Sequence, residues 1–269
     1  SNTQTGTYTL TGTGTSAKFI GILFNGIATG TPTTVNNNTV AAVSMTGVTA
    51  AGTSTASPFT GILFQEGNGV TKGNTVGSQT TTSSLVFSTN TTSGTDVYGI
   101  YNFSSNAWTS NNNNIGGMSV TNLGASGTFL VWGMRANTGS AVTWTATGNT
   151  IGGSPANSIQ LSATGTASQL VGLFTGNAPA VLTANTIRNL TSNIGTGTTS
   201  SASVIGINIT ATTPSHTLAR NTISNLTNTN GSAPSVVTGI QFTGSTANIV
   251  ERNLIYGLSA ATTSTSAAS

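Results

Sequence analysis

An asparagine that recurs about every 36 residues constrains the fold of this chain more than any other feature. It opens the strings NTIRNL and NTISNL, which begin at residues 185 and 221. The set is Asn38, Asn74, Asn113, Asn149, Asn185, Asn221 and Asn253, with intervals of 36, 39, 36, 36, 36 and 32 residues, and Asn2 is a weaker eighth member. Long internal periods are typical of solenoids, so the spacing predicts one turn of chain per repeat.

Two further positions repeat at a fixed distance after this asparagine, and we call each such set of equivalent residues a column. The residue two positions after it is always Val or Ile, which is typical of an inward strand position. Four positions after it stand Ala42, Ser78, Gly117, Gly153, Asn189, Asn225 and Gly257. Most of these residue types tolerate a corner and a positive φ, so the strand is expected to bend there.

A glycine column lies about halfway round each repeat. Its members are Gly21, Gly61, Gly99, Gly133, Gly172, Gly206 and Gly239, each with an apolar residue two positions before it and one position after it. In a regular strand those two neighbours would face opposite sides. The glycine is therefore predicted to form a bulge or bend that returns the second side chain to the core.

Composition excludes several classes of protein. Only 9 of the 269 residues are charged, so there is no basic run for nucleic acid to meet. Hydrophobic residues make up 35% and occur as short β-branched clusters without helical periodicity, which predicts an all-β chain rather than a disordered one. No apolar run approaches the roughly 20 residues that cross a bilayer, so membrane insertion is not expected.

The fold class predicted is an all-β parallel β-solenoid of about seven to eight coils of roughly 36 residues, with three short strands per coil. The strings NTIRNL, NTISNL and GNTIGG resemble the coil repeats of right-handed parallel β-helix proteins of the pectin-lyase-like type, and that resemblance implies the right hand. A left-handed helix with two 18-residue coils per repeat is the rival, although its hexapeptide pattern is not visible. Residues 1–269 are expected to be one solenoid domain, a segment of or subunit in a longer assembly.

The recurring asparagines are interpreted as structural. Stacked coil on coil, their amides can bond to one another and to the backbone at the corner. The three acids, Glu66, Asp96 and Glu251, occupy different columns and cannot form the carboxylate pair of a glycosidase. His216 is the only histidine and cysteine is absent, so no catalytic site, metal or cofactor is predicted.

Large side chains occupy columns that should face away from the core on either side of the glycine. Tyr98, Tyr101, Trp132 and Arg135 belong to adjacent coils there and can meet as an aromatic and cation–π cluster. Either the chain's own loops cover this strip or a partner does, and the sequence favours neither. With Trp108 and Trp144 nearby, the four residues are the predicted contact for a partner or glycan.

Function is predicted from this architecture. Low charge with abundant Thr, Ser and Asn is typical of exported proteins, so the chain is expected to be a structural or adhesive module of an extracellular bacterial fibre or giant surface protein. Its partners would be neighbouring copies of itself, and surface glycans are also considered. The alternative is a glycan-binding or carbohydrate-active β-helix that uses the aromatic strip. The alternating threonines from Thr5 to Thr15 would suit an ice-binding face only if they recurred in every coil, which they do not.

Overall fold

The structure is a computed structural model of the chain. It describes residues 7–12, 14–26, 30–165, 167–194, 203–213, 215–231, 235–243 and 246–261. The weak repeat member Asn2 and part of the threonine run, including Thr5 and Thr13, lie outside the described residues.

Twenty-six short strands account for the regular structure. The first thirteen are β1 (Tyr8–Thr11), β2 (Phe19–Asn25), β3 (Thr33–Asn36), β4 (Thr39–Val40), β5 (Val43–Val48), β6 (Phe59–Glu66), β7 (Gly69–Lys72), β8 (Thr75–Gly77), β9 (Leu85–Thr89), β10 (Thr95–Asn102), β11 (Trp108–Asn111), β12 (Asn114–Gly116) and β13 (Met118–Asn122). The rest are β14 (Phe129–Ala136), β15 (Trp144–Thr147), β16 (Thr150–Ile151), β17 (Ile159–Ser162), β18 (Gln169–Thr175), β19 (Ala180–Thr183), β20 (Thr186–Asn193), β21 (Val204–Ile209), β22 (Thr217–Ala219), β23 (Thr222–Asn228), β24 (Val237–Phe242), β25 (Ile249–Glu251) and β26 (Leu254–Ala260). The one helical element among the described residues is a 3-10 turn, Ser54–Ala56.

The strands form three parallel sheets. Sheet A has twelve strands, sheet B runs β2-β6-β10-β14-β18-β21-β24, and sheet C runs β3-β7-β11-β15-β19-β22-β25. The chain visits B, C and then A before returning to B one coil further on. This confirms the all-β parallel solenoid with about 36 residues per turn. It has about six turns, so the prediction of seven to eight was too high: seven recurring asparagines enclose only six intervals. The hand of the helix stays a prediction.

Like residues stack on like in successive coils. Ile187 pairs with Ile151 on one side and with Ile223 on the other, as the repeat predicts. These residues are fully buried members of one core cluster that runs along the solenoid between the three sheets. The hydrogen bonds of each strand go to the coils before and after it, so every coil inside the stack satisfies its backbone through its neighbours.

The predicted corner four residues after each recurring asparagine is present. Positive φ values occur at Ala42, Gly117, Asn189, Asn225 and Gly257, and one position earlier at Gly77 and Gly152. This corner bends sheet A. In the first four coils it divides the strand of sheet A into two pieces, whereas β20, β23 and β26 continue through it. Each coil therefore contributes to three sheets, as expected. In the early coils it does so with four strands instead of three, because the strand of sheet A is divided.

A second corner lies immediately before each recurring asparagine and was not predicted. Its members are Asn37, Gly73, Asn112, Gly148, Ala184, Arg220 and Arg252, and all seven have φ between +52° and +66°. Only glycine adopts this region without cost, and asparagine tolerates it. The column contains four residue types, Asn, Gly, Ala and Arg, although the backbone conformation is the same in every coil. Residue type alone therefore did not mark it as a turn.

The glycine column exists because there is no room for a side chain. A Cβ built on Gly133 would lie 2.6 Å from the carbonyl oxygen of Gly172 and 2.6 Å from Cγ2 of Ile151. The predicted change of phase is confirmed, since Val131 and Met134 both lie in the main core. A bulge is not the cause, because the pairing of β14 with β10 and β18 keeps one register across the glycine.

Candidate functional site

The recurring asparagines form a continuous hydrogen-bonded ladder at the corner between sheets C and A. The backbone N–H and the side-chain Nδ2 of Asn113 both donate to Oδ1 of Asn149, each at 2.9 Å. Nδ2 of Asn149 then donates to Oδ1 of Asn185 at 3.0 Å and to the carbonyl of Ser110 at 2.8 Å. Each interior amide thus uses two acceptor sites and two donor hydrogens, which is its full capacity.

The same bonds repeat from Asn38 to Asn253. The five interior members, Asn74, Asn113, Asn149, Asn185 and Asn221, are at most 1% exposed. The bonds from one amide to another all run in one direction, from each coil to the next coil towards the C-terminus, while the second amide hydrogen goes to a carbonyl of the preceding coil. A buried, neutral and fully bonded amide has no free atom to offer to a substrate, so this geometry supports the structural interpretation.

A second hydrophobic cluster covers the outside of the central strands of sheet B, so that these strands are buried on both faces. We call it the outer cluster. Its buried members are Leu63, Tyr98, Tyr101, Trp132, Val171 and Ile205, with Ile20, Leu130, Phe174 and Val236 packed against them. Tyr98 is 0% exposed, Tyr101 1% and Trp132 4%. Strands β10 and β21 are consequently buried at every position.

An ion pair lies inside the outer cluster. Nη1 of Arg135 is 3.3 Å from Oδ2 of Asp96. The same oxygen accepts hydrogen bonds from the Tyr98 hydroxyl at 2.5 Å and from the backbone N–H of Ser54 at 3.1 Å. Because Ser54 belongs to the 3-10 turn between β5 and β6, Asp96 fixes that turn over the aromatic rings.

The aromatic rings enclose the guanidinium group. Its Cζ lies 5.0 Å from the ring centre of Trp132, 5.4 Å from those of Tyr101 and Phe174 and 5.8 Å from that of Tyr98. These distances are within the range of cation–π attraction. Burial raises the pKa of both the Tyr98 and Tyr101 hydroxyls above the ordinary value, so both rings stay neutral in the folded protein.

Three polar atoms of this cluster have no hydrogen-bond partner within the described part of the chain. They are Oδ1 of Asp96, Nε of Arg135 and Nε1 of Trp132. Buried polar atoms of this kind cost stability. The outer cluster therefore combines strong contacts with incomplete pairing, unlike the asparagine ladder.

The four predicted contact residues meet in space, but three of them are not available for contact. Tyr98, Tyr101 and Trp132 are covered by the chain's own residues, and only Arg135, whose side chain is 23% exposed, reaches the surface. The two other tryptophans are not part of this cluster. Trp108 and Trp144 stack on each other in the main core, with ring centres 5.3 Å apart and planes at 4°. The sequence showed the columns but not the loops that cover them.

His216 is a buried side chain of the last coils. Its Nδ1 accepts a hydrogen bond from the backbone N–H of Ala180 at 3.1 Å, and its ring meets Phe242 edge to face at 5.5 Å. Burial lowers the pKa of the imidazole below the ordinary value. The ring therefore stays neutral near pH 7 and has a structural role between these coils.

Comparison with known proteins adds no relative: no protein-family model, no curated protein and no solved structure matches the chain significantly. Within the described residues, no cluster of three or more His, Cys, Asp or Glu side chains could hold a metal ion. Among the same residues, no helix has the length and apolar character needed to span a membrane.

Proposed function

We propose that this chain is a structural or adhesive module of an extracellular bacterial fibre or giant surface protein. The observation that supports this most is the asparagine ladder, which runs with the paired strands along the solenoid axis and offers no reactive group. The module acts as a stiff rod, because each coil is held to the next by backbone hydrogen bonds, a bonded amide and buried Val or Ile side chains.

End-to-end packing is part of the proposal. The last described strand, β26, pairs with β23 on one side, and its residues are all exposed. Ile255 and Leu258, which continue core columns, are each 40% exposed there. A parallel strand of another coil placed against this edge would bury both side chains. It would also continue the backbone hydrogen bonds, the amide ladder and the aliphatic column.

Electron microscopy and sedimentation of the purified chain test the proposal. We expect concentration-dependent assemblies of elongated shape, which disappear in Ile255→Asp because a charge would then face the neighbouring coil. Thr227→Asp is the matched control, since Thr227 lies in sheet A of the preceding coil at a position that alternates with inward Leu226. Single, non-associating particles at every concentration would overturn the proposal of a fibre module.

A further inference from the structure

A polar groove follows the edge at which sheet B turns into sheet C. One part, of about 450 Å³, is lined by residues that include Gln65, Glu66, Phe103, Ser104, Asn106 and Asn137. These residues come from the ends of β6, β10 and β14, or from the turns that follow them, in three successive coils. A second pocket, of about 320 Å³, lies along the same edge in the following coils, between Ser140, Asn177 and Thr212.

Phe103 supplies an aromatic surface in this groove. It is 37% exposed, whereas the neighbouring Tyr101 is buried. The two rings meet edge to face with centres 6.0 Å apart, so the outer cluster holds the Phe103 ring in place. A fixed, half-exposed aromatic ring offers apolar area without the loss of freedom that a mobile side chain would suffer on binding.

Amide groups border the ring at coil spacing. Nδ2 of Asn137 donates to the carbonyl of Phe103 at 3.4 Å, and Nδ2 of Asn177 donates to Oδ1 of Asn137 at 2.9 Å. Nδ2 of Asn106 donates to Oγ of Ser104 at 3.0 Å. Each bond leaves the amide with further donor or acceptor capacity, so the groove presents both kinds of hydrogen-bonding group in fixed positions.

Charge narrows the class of ligand. Glu66 is the one ionisable residue among those that line the 450 Å³ part of the groove, and no Lys or Arg lines it. Phosphates, sulfates and uronic acids would therefore meet repulsion without compensation. A single carboxylate is also too few for a calcium site, which takes six to eight oxygen ligands.

We propose that this groove binds a neutral oligosaccharide, with one sugar ring lying against Phe103. A pyranose carries a C–H face that packs on an aromatic ring and hydroxyl groups that both donate to and accept from amides and carboxylates. The groove combines an exposed aromatic ring with polar side chains, which suits a sugar chain better than a fully apolar ligand, because such a ligand would leave these polar groups without partners. The site is distinct from the buried strip of Tyr98 and Trp132 and does not depend on fibre formation.

Affinity electrophoresis in gels that contain neutral β-glucan, mannan, xylan or polygalacturonate tests the proposal on the intact chain. We expect retardation by at least one neutral polysaccharide and none by polygalacturonate. Phe103→Ala should weaken binding tenfold or more, and Asn106→Ala severalfold, with unchanged circular dichroism. Leu123→Ala is the control, because Leu123 is a 70% exposed apolar residue outside the groove and its loss should leave binding intact.

Three outcomes would overturn the proposal. The first is the absence of retardation by every neutral polysaccharide, and the second is stronger binding to polygalacturonate. The third is an equal loss of polysaccharide binding in Phe103→Ala and Leu123→Ala, which would indicate nonspecific hydrophobic adsorption. If Phe103→Ala fails to fold, Asn106→Ala decides, because its side-chain amide donates to the nearby Oγ of Ser104 and the backbone N–H that also donates there is kept in the variant. None of these results alters the assembly measured by sedimentation, so this proposal and the proposed fibre role can fail separately.

Discussion

Asn149 and Asp96 are both buried polar side chains, yet their surroundings differ. Both atoms of the Asn149 amide are fully hydrogen bonded to the coils on either side. In Asp96, Oδ2 collects every bond and Oδ1 has no partner among the described residues. The asparagine repeats in each coil, so its partner is another copy of itself. The aspartate occurs once, and its partners, Ser54, Tyr98 and Arg135, are not equivalent positions of the repeat. Because the residue repeats, every interior amide of the ladder finds all of its hydrogen-bond partners.

The largest effect that this comparison predicts is the loss of one rung of the ladder. Asn149→Ala removes the oxygen that accepts from Asn113, so the backbone N–H of Asn113 and one of its two side-chain amide hydrogens are left buried without a partner. The carbonyl of Ser110 also loses its donor. We expect a loss of about 4 kcal/mol in the free energy of unfolding, from two to three unsatisfied groups. Asn38→Ala, at a half-exposed end of the ladder, should cost about 1 kcal/mol. Thermal or urea unfolding followed by circular dichroism measures both, and equal losses would contradict the role of the interior ladder.

A methyl group in the glycine column should have the next largest effect. The Cβ of Gly133→Ala would collide with a backbone oxygen of the next coil and with Ile151, and neither can move without disturbing its own stack. We expect a loss of about 3 kcal/mol. Gly94→Ala is the control, since the nearest atom to its Cβ is 4.0 Å away and its φ lies outside the left-handed region. A neutral effect of Gly133→Ala in the same unfolding assay would mean that adjacent strands can separate more easily than the structure indicates.

The outer cluster should respond differently, because its interactions belong to a pair rather than to a repeat. Arg135→Met leaves the Asp96 carboxylate buried without its cation, and we expect a loss of about 2 kcal/mol, reduced by the partial exposure of the arginine. Adding Asp96→Asn to Arg135→Met should recover part of that loss, because the unpaired charge is then removed. A double-mutant cycle measures the coupling. Additive losses would show that Arg135 and Asp96 do not stabilise each other and would contradict this prediction.

Residues that repeat were the predictable part of this molecule. The Val and Ile column, the corner after it and the stacking of Ile151, Ile187 and Ile223 followed from spacing alone, because one local rule is applied in each coil. The burial of Tyr98 and Tyr101 did not follow, since the 3-10 turn of Ser54 that is fixed against them does not recur among the other described coils. The groove beside Phe103 was missed for the same reason. It is built from turns between strands, where neither periodicity nor a charged motif marks the residues.

The acid sensitivity of the last coils should come from His216. Its pKa is lowered in the folded state, so the unfolded chain binds protons more readily. The stabilising contribution is therefore complete above the ordinary histidine pKa of about 6.5 and is lost as pH falls below it. We expect a modest fall in melting temperature between pH 7.5 and pH 5. Nδ1 of His216 accepts a hydrogen bond from the backbone N–H of Ala180. In the next coil, Oδ1 of Asn248 accepts the equivalent bond from the backbone N–H of His216. His216→Asn should keep this bond and abolish the pH dependence.

The smallest predicted effect is a gain in stability at the corner that precedes each recurring asparagine. Arg220 has a φ of +58°, a region that costs a residue with a side chain more than it costs glycine, while Gly73 and Gly148 already occupy the same corner in other coils. Arg220→Gly should relieve this strain, although the more flexible unfolded chain offsets part of the gain, so we expect about 0.5 kcal/mol. Its matched control is Arg188→Gly, because Arg188 lies inside β20 and does not have a positive φ, and there the same change should destabilise the protein. A loss of stability in both variants would show that the Arg220 side chain contributes more to its coil than its backbone strain costs.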